Sequence, residues 1–487
     1  MITDDTIVAI ATPPGRGGIG VVRLSGSQAL EIALSLVHFS ALPLETQRAT
    51  LGDFRDPESG RTLDHVVVTC FRQPRSYTGE DVVEISCHGA PVLLRYLVEC
   101  CLARGARVAE PGEFTLRAFL NGRIDLTQAE AVRDLIESRT LYQARVAAQQ
   151  VDGAMSARLQ PHKQALLDLI ARLEAGIDFA EDDVPVSGWL EIAEYLGAIR
   201  ADLVKLVEGY EYGRIVREGL TLAIVGRPNV GKSSLFNRLL NQDRAIVTAV
   251  PGTTRDLVAE TASLGGIPLR FVDTAGIRDT PDEVESMGVQ KAWQAVADSD
   301  LRLLVVDASE GWTAEEDRLL NRIRSLGTLL VACNKSDLPS RLDPNELDHL
   351  LSHNGLGYSD ADPSPSEGAA ETSSISSHLH RGRVVVWTSA LTGAGLDELK
   401  EKILETAVPA RNLAPEGEVI TNLRHQQLTQ ESLQALERAC EAANQHLPHE
   451  MLLLDLYDAL RPLDTITGAT TADDVLGIIF STFCVGK

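Results

Sequence analysis

The sequence predicts a multidomain protein that combines α/β and all-α architecture. We expect an N-terminal α+β domain, a helical domain split into two segments, and a doubly wound α/β domain inserted between those segments. The 487 residues suit about three domains of ordinary size. Strand-like and helix-like stretches alternate between residues 216 and 408, which indicates a doubly wound sheet, and helical periodicity flanks that region. The predicted boundaries are 1–120, 121–215, 216–408 and 409–487.

The composition is that of a globular chain with a substantial core, since 44% of the residues are hydrophobic and 23% are charged. No apolar run has the length of a membrane span, and the acidic N-terminus lacks the basic segment of a signal peptide. An odd number of cysteines without Cys-x-x-Cys pairs favours reduced thiols and a cytoplasmic location over a disulfide framework or a zinc site. The cysteines are Cys70, Cys87, Cys100, Cys101, Cys333, Cys440 and Cys484.

The formal net charge is −24 and the isoelectric point is near 4.9. Nonspecific nucleic-acid binding relies on a positive field, which this chain as a whole does not provide. Any contact with RNA therefore requires a local basic patch or a partner protein.

Four strands and one helix are predicted in the first 120 residues, with the strands at 6–11, 20–24, 65–71 and 81–87 and the helix at 91–104. Between the first two strands, Gly15, Gly17 and Gly20 spell G-x-G-x-x-G. A dinucleotide site would need a helix after these glycines. The β-branched Val21 and Val22 predict a strand instead, so we interpret the stretch as a hairpin turn.

The two outer helical segments carry apolar residues at helical spacing, the pattern of one buried helix face. We expect the segments to pack together as one discontinuous domain, and we assign these residues no chemistry. They are Leu166, Leu169, Ile170 and Leu173 before the insert, and Leu453, Leu456, Tyr457 and Leu460 after it.

Residues 341–383 interrupt the inserted domain. Their central part, 352–377, is rich in Ser, Gly, Asp, Pro and Glu, which predicts a disordered surface insertion. We expect no function there.

The inserted domain begins with the segment GRPNVGKSS, Gly226 to Ser234, between an apolar strand at 222–225 and a helix-like stretch. This strand–loop–helix context is the one that a P-loop requires, because its backbone N–H groups and the helix N-terminus face a polyphosphate. Lys232 would then reach the β- and γ-phosphates, and the Ser233 hydroxyl would bind Mg²⁺.

Two segments that sense a γ-phosphate follow. Pro251–Asp256 supplies Thr254 as a second Mg²⁺ ligand after a loop. The strand at 269–272 ends in Asp-Thr-Ala-Gly, where Asp273 would hold the Mg²⁺ water shell and the Gly276 N–H would contact the γ-phosphate.

Two further segments select the base. The strand at 329–333 delivers Asn334-Lys335-Ser336-Asp337, and the Asp337 carboxylate can accept two hydrogen bonds from guanine but not from adenine. Ser389-Ala390-Leu391 follows the strand at 384–387 and offers a backbone N–H to guanine O6. Each motif alone is short, but their order along one chain predicts a GTPase domain of the Ras-like P-loop type.

Hydrolysis requires a positioned water. Ile277 stands where Ras-like proteins have glutamine, so another group must orient the water. Nearby candidates are Arg278, Asp282, Glu283 and Glu285. From the residues alone, a solvated acidic loop stays an open alternative.

Beyond these motifs, the chain resembles the MnmE (TrmE) family of tRNA-modification GTPases, in the TrmE-Era-EngA-YihA-Septin-like superfamily. The resemblance spans nearly the whole chain. It lies in Asp5–Ala9 with Ala11–Gly18, Tyr77–Asp81 with His88-Gly89, Arg107–Asp125, and the terminal Phe483–Lys487.

The resemblance implies an enzyme that adds a carboxymethylaminomethyl or aminomethyl group at C5 of the wobble uridine (position 34) of certain tRNAs. It implies an FAD-dependent partner, MnmG (GidA), in a heterotetramer, and a tetrahydrofolate one-carbon donor in the 5,10-methylene or 5-formyl form. The N-terminal domain would bind the folate and form a homodimer. The folate residues carried over from the family are Arg23, Glu84, Arg123 and Lys487, which without the resemblance would be ordinary surface ion pairs.

The resemblance also implies that potassium replaces an arginine finger and that two G domains meet during hydrolysis. Glu285 would orient water, Arg278 would support the switch, and Cys484 is either a nucleophile near the folate or a buried small apolar residue. The implied ligands are Asn229, Thr248, Val250 and Thr253 for potassium, and Ser233 and Thr254 for magnesium. The GTP site then comprises Asn229, Val230, Gly231, Lys232, Ser233, Ser234, Thr248, Ala249, Val250, Pro251, Gly252, Thr253, Thr254, Asp273, Thr274, Ala275, Gly276, Asn334, Lys335, Asp337, Ser389, Ala390 and Leu391.

Ser389-Ala390-Leu391 departs from the family because it lacks a basic third residue. Two other functions remain open at this point. One is a ribosome-assembly or signalling GTPase, which leaves the N-terminal domain unexplained. The other is a folate-dependent one-carbon enzyme with a regulatory G domain.

Overall fold

The computed structural model describes residues 5–40, 43–178, 188–242, 261–272, 283–344, 347, 351, 385–407, 419–470 and 473–486. The chain forms two compact units. One contains residues 1–136, 147–200 and 428–487, and the other contains 137–146 and 201–427. The four predicted domains divide the chain more finely than these units and stay a prediction.

The first unit contains a seven-stranded sheet with the strand order β3-β4-β5-β6-β2-β1-β7. All neighbouring strands are antiparallel except β1 and β7, which are parallel. The strands are β1 Ile7–Ile10, β2 Gly17–Ser25, β3 Val37–Phe39, β4 Ala49–Arg55, β5 Thr62–Phe71, β6 Val82–Gly89 and β7 Arg107–Val108.

The hairpin predicted at the N-terminus is confirmed, because β1 and β2 pair antiparallel with Ile7 opposite Ser25. Gly15 therefore lies between the two strands, and Gly17 and Gly20 lie in β2, so the glycine-rich stretch does not start a helix. The predicted helix at 91–104 is observed as Pro91–Leu102. The short strands β3, β4 and β7 were not predicted.

The helices of the described residues follow in chain order. They are α1 Ala29–Leu36, α2 Pro91–Leu102, α3 Glu113–Leu120, α4 Leu126–Glu137, α5 Leu141–Val151, α6 Ala154–Asp178, α7 Trp189–Glu208, α8 Tyr210–Glu218, α9 Lys232–Gln242, α10 Glu283–Ala297, α11 Ala314–Ile323, α12 Leu396–Ala407, α13 Leu423–Asn444, α14 His449–Thr467 and α15 Asp473–Ser481. A 3₁₀ turn covers Arg324–Leu326.

Helices from before and after the insert pack together in the first unit, as the two apolar stripes predicted. Lys163 on α6 forms an ion pair with Asp464 on α14, with 2.7 Å between Nζ and Oδ1. The four predicted apolar residues of α6 are buried. On α14 the prediction is wrong for Tyr457, which is 42% exposed. Its hydroxyl donates a hydrogen bond to Glu174 at 2.6 Å, which keeps its polar end at the surface.

The second unit contains a six-stranded sheet with the order β13-β12-β11-β8-β10-β9, in which only β9 is antiparallel to its neighbour. Its strands are β8 Leu220–Val225, β9 Thr261–Leu264, β10 Ile267–Val272, β11 Leu301–Asp307, β12 Leu329–Asn334 and β13 Val385–Trp387. Both faces of the central strands are buried in apolar clusters, which is the doubly wound arrangement that the sequence predicted.

In the described part of the chain, no helix combines the length and apolar character needed to cross a membrane. Most of the predicted insertion at 341–383 lies outside the described residues.

Candidate functional site

The glycines of GRPNVGKSS are required by the backbone around them. Gly231 has a φ of +97°, and a Cβ there would lie 2.2 Å from the Asn334 side-chain nitrogen. Gly226 follows β8 directly, and a Cβ there would lie 2.3 Å from the carbonyl oxygen of Val305 on β11. Any larger residue at these positions would displace the loop from the sheet.

Lys232 begins α9, where free backbone N–H groups favour anions. Its ammonium group donates hydrogen bonds to the carbonyl oxygens of Gly226 and Arg227, each at 2.7 Å. The charge is thereby held across the mouth of the loop. Ser233 and Asn229 are exposed beside it, and Asn229 has a left-handed φ of 64°.

Asn334 joins the P-loop to the predicted guanine-binding loop. Its side-chain nitrogen donates to the Val230 carbonyl at 2.8 Å, and its side-chain oxygen accepts from the Ala390 N–H at 3.0 Å. The residue is 2% exposed, so both bonds are made in the interior. Three sequence motifs separated along the chain are therefore in contact.

The Asp337 carboxylate, which the sequence predicts to recognise guanine, is also held in place. The Ser389 hydroxyl donates to Asp337 at 2.5 Å, and Ser389 itself is buried whereas Asp337 is exposed. The fixed, accessible carboxylate is the acceptor that guanine selection requires.

Two contacts around this site were not predicted. Asp307, which ends β11, forms an ion pair with Lys335 and accepts hydrogen bonds from the Ser309 N–H at 2.9 Å and hydroxyl at 2.6 Å. Burial alone would raise the pKa of Asp307, but these bonds outweigh burial and hold the pKa below its usual value. In the sequence, Asp307 could have been identified because it is a carboxylate at the end of an apolar strand.

The second contact involves Arg238 on α9, whose guanidinium donates to the Leu391 carbonyl at 3.0 Å. The third position of Ser389-Ala390-Leu391 lacks a basic side chain of its own. A basic side chain from the P-loop helix binds the backbone there instead.

Several predicted site residues lie outside the described residues. They are Thr248, Ala249, Val250, Pro251, Gly252, Thr253, Thr254, Asp273, Thr274, Ala275, Gly276, Ile277, Arg278, Asp282 and Lys487. Glu283 and Glu285 belong to the first turn of α10.

In the first unit, Arg23 and Glu84 face each other on β2 and β6. Two guanidinium nitrogens of Arg23 lie 2.9 and 2.8 Å from the same carboxylate oxygen of Glu84. The aromatic rings of Tyr77 and Phe114 lie 6.0 and 5.7 Å from the guanidinium carbon. Aromatic faces and a carboxylate together fix the orientation of this cation.

The C-terminal tail returns to the same place. Arg23 donates to the Gly486 carbonyl at 3.3 Å, and the Gly112 N–H donates to the Cys484 carbonyl at 3.4 Å. Val485 forms an isolated antiparallel bridge with Pro111. Only the family resemblance predicted that Arg23 and the C-terminal tail share one site. No local pattern could do so, because 463 residues separate Arg23 from Gly486.

Cys484 is exposed, so the alternative of a buried apolar residue is wrong. Arg123 is also exposed, and its stem lies against Gly79, where an added Cβ would be 3.3 Å from the Arg123 Cγ. Next to Gly79, the Asn121 side chain donates to the Thr78 carbonyl at 2.7 Å. The loop that carries Tyr77 therefore also meets Arg123.

Arg117 is a buried residue that sequence reasoning did not single out. Its guanidinium forms ion pairs with Asp5 at 2.7 Å, Glu80 at 3.0 Å and Glu113 at 3.0 Å. These bonds connect the chain before β1 to the loop before β6. A buried cation with three carboxylate partners fixes that loop beneath the Arg23 site.

A family model described as the MnmE helical domain matches residues 126–484, and a second, described as the N-terminus of the GTP-binding protein TrmE, matches residues 6–123. The chain belongs to the MnmE family. The tRNA modification GTPase MnmE of Koribacter versatilis is 56% identical over 489 residues, and that of Syntrophotalea carbinolica is 44% identical over 493 residues. Both matches cover 100% of this chain and 100% of the relative.

A crystal structure of an Era variant from Aquifex aeolicus bound to GDP·AlF₄⁻ is 29% identical. The match covers 44% of this chain and 66% of the Era chain, with a TM-score of 0.28.

Proposed function

We propose that the chain binds and hydrolyses GTP and uses that reaction in tRNA modification. The observation that carries the proposal is the Asn334 bridge, which holds the P-loop and the Ser389-Ala390-Leu391 loop together. Lys232 would bind the β- and γ-phosphates, and the Asp337 carboxylate would accept two hydrogen bonds from guanine.

GTP hydrolysis with ATP as the competitor tests this proposal. We expect the protein to hydrolyse GTP and an excess of ATP to leave the rate unchanged, because adenine lacks the donor pair that Asp337 requires. ATP that competes as well as unlabelled GTP would refute the assignment of the base site.

We propose a magnesium site built on Ser233, with Thr254 as its partner and Asp273 holding the water shell. The exposed hydroxyl of Ser233 stands on the first turn of α9 beside Lys232, and hydroxyl and carboxylate oxygens suit Mg²⁺. When bound, the ion neutralises phosphate charge. Ser233→Ala should abolish magnesium-dependent hydrolysis, and full activity in that variant would contradict the site.

We propose that potassium binds at Asn229 together with Thr248, Val250 and Thr253, and that Glu285 positions water with support from Arg278. The exposed Asn229 amide within the P-loop supports the potassium site, since a neutral oxygen suits a monovalent cation. Hydrolysis should be faster in potassium than in sodium, and Asn229→Ala should remove that difference.

Glu285→Ala should lower turnover while GTP affinity stays unchanged. A normal rate in that variant would contradict the proposed role of Glu285 in positioning water.

We propose that the Arg23–Glu84 pair, with Arg123 and Lys487, binds a tetrahydrofolate derivative. An oriented guanidinium suits the folate glutamyl carboxylates, and the free oxygen of Glu84 can accept from a pterin ring. Calorimetry with 5-formyltetrahydrofolate should show binding that Arg23→Ala abolishes. Arg95→Ala, which changes an exposed arginine on α2, is the matched control and should bind normally.

The reaction we propose is the addition of a carboxymethylaminomethyl or aminomethyl group at C5 of the wobble uridine, in a heterotetramer with the FAD-dependent MnmG. The net charge of −24 supports RNA binding through that partner or a local patch. Cytoplasmic location fits the seven free cysteines. Copurification of tRNA only when MnmG is present would support the partner route, and copurification without it would contradict that route.

We propose that two copies associate through the N-terminal sheet. Leu51 on β4 and Val67 on β5 are opposite each other and are 67% and 39% exposed. Leu63 lies on the same outward face of β5. The inward residues of β5, Val66 and Val68, are buried in the core with α1 and α2. These exposed apolar side chains, with the His65–Asp53 ion pair on the same face, suit pairing with a second copy.

A further inference from the structure

Residues 137–146, which we call the brace, form part of the unit that contains the GTP site, although the chain on both sides of them belongs to the other unit. Val146 at its end is 4% exposed and belongs to the apolar core of the G-domain sheet. Thr140 and Gln143 are also buried. Buried polar side chains require hydrogen-bond partners. The partners of Thr140 and Gln143 lie at the turn between β9 and β10 and at the end of α8.

The first place is the turn between β9 and β10. The Thr140 hydroxyl donates to the Gly266 carbonyl at 2.6 Å and accepts from the Gln143 N–H at 3.1 Å. Gly266 has a φ of +87°, and a Cβ there would lie 2.6 Å from the Tyr142 Cβ. The backbone of the turn is therefore both hydrogen-bonded to the brace and in close contact with it.

The second place is the last turn of α8. The Gln143 side chain donates to the carbonyls of Val216 at 2.9 Å and Arg217 at 2.8 Å. The Tyr142 and Tyr212 hydroxyls are 2.5 Å apart. Carbonyl groups at the end of a helix need partners from outside it, and Gln143 supplies them.

These two places are the starts of two adjacent parallel strands. The end of α8 leads through Gly219 into β8, and the β9–β10 turn leads into β10, with Leu220 opposite Leu269. The far end of β8 continues into the P-loop. The residue after the far end of β10 is Asp273. The brace therefore links the start of β10 to the start of β8, beside the ladder that pairs the two strands.

We propose that Thr140 and Gln143 are positioning residues for GTP hydrolysis. Through the brace they set the alignment of β8, which leads into the P-loop, with β10, which ends at the residue before Asp273. This inference rests on the proposed GTPase function, because it concerns the relation between phosphate and magnesium groups. The effect should be specific to the triphosphate state, since GDP offers no γ-phosphate to the β10 side.

The test compares Thr140→Val, which keeps the shape but removes the hydroxyl, with Thr140→Ser, which keeps the hydroxyl, in the full chain. We expect kcat of Thr140→Val at saturating GTP to fall about fivefold, the effect of one net hydrogen bond on a rate. GDP affinity should be unchanged, and Thr140→Ser should restore most of the rate. A purely structural role would lower thermal stability without moving kcat, so a folded Thr140→Val protein with the wild-type kcat would overturn the inference.

A second measurement uses the unaltered chain, in case Thr140→Val does not fold. Hydrogen exchange of the amides of 139–146 should differ between the protein saturated with GDP and the protein saturated with a nonhydrolysable GTP analogue. Equal protection with both nucleotides bound would overturn the inference while leaving the GTPase proposal intact. A chain that binds neither nucleotide would refute the GTPase proposal and, with it, the role of the brace.

Discussion

At the scale of single residues, Asp337 and Asn334 have different predicted roles in base recognition. Asn334 is buried and its side chain bonds to Val230 and Ala390, whereas Asp337 is exposed and held by Ser389. Asp337→Asn exchanges one acceptor for a donor, which suits xanthine better than guanine. We expect GTP affinity to fall at least about 100-fold, as for loss of a charged hydrogen-bonding pair, and xanthosine triphosphate to bind instead.

Competition binding with the two nucleotides measures this exchange. Asp317→Asn, an acidic change on α11 away from the base loop, is the control and should keep its preference for GTP. Asp337→Asn protein that still prefers GTP would contradict the predicted role of the carboxylate.

The cysteines differ in burial, which predicts that they differ in reactivity. Burial raises the pKa of Cys333 and of Cys101 to about 12, and that of Cys87 to about 11. The thiolate is the reactive form, so these three thiols should resist a thiol reagent at pH 8 in the folded protein. Exposed Cys484 should react first. Mass spectrometry of the labelled peptides checks this order, and early labelling of Cys333 in folded protein would contradict it.

The sequence predicts roles for residues that belong to a local motif, such as Lys232 and Asp337. It does not predict roles for Asp307 or Arg117, because their partners are distant along the chain. The Asp307–Lys335 pair depends on the parallel register of β11 and β12, which no local pattern specifies. Arg117 binds Asp5 across 112 residues.

At the scale of elements, strands that end in motifs were predictable because an apolar run followed by Gly, Asp or Asn marks both the strand and its end. The short strands β3 and β7 were not, since three and two residues carry no periodicity. Nor was the association of residues 137–146 with the G-domain sheet predictable. Thr140 and Gln143 look like ordinary polar helix residues until their partners are known.

The helix α11 offers a local test of element stability. Thr313 caps it in a capping box with Glu316, and Glu316 also pairs with Arg227 of the P-loop. Thr313→Ala should cost about 1 kcal/mol of local helix stability, whereas Thr313→Ser keeps the hydroxyl and should cost less. Hydrogen exchange of the amides at 315–320 measures the difference. Equal protection in the two variants would show that the cap does not stabilise the helix.

At the scale of the whole molecule, the exposed apolar residues of the N-terminal sheet predict a stable dimer. Leu51→Lys would place a charge in the interface we propose, so sedimentation equilibrium should show a monomer at micromolar concentration. Leu190→Lys, a change at another highly exposed leucine, should stay dimeric. A dimeric Leu51→Lys protein would locate the interface elsewhere.

The chain is strongly acidic, and its P-loop domain interrupts the sequence of a helical domain. Near its C-terminus, the Gly486 carbonyl accepts a hydrogen bond from Arg23. Neither a signalling GTPase nor a folate enzyme with a regulatory domain requires all three features. The family membership unites them, because both matched segments together cover residues 6–123 and 126–484.

The central claim is that GTP hydrolysis by this chain supports modification of the wobble uridine. Mass spectrometry of nucleosides from total tRNA tests it most directly, in a strain that lacks the gene and carries either the unaltered chain or Lys232→Ala. We predict that the C5-modified wobble uridines disappear in the deletion strain, return with the unaltered chain, and stay absent with Lys232→Ala. Unchanged wobble uridines in the deletion strain would contradict the account.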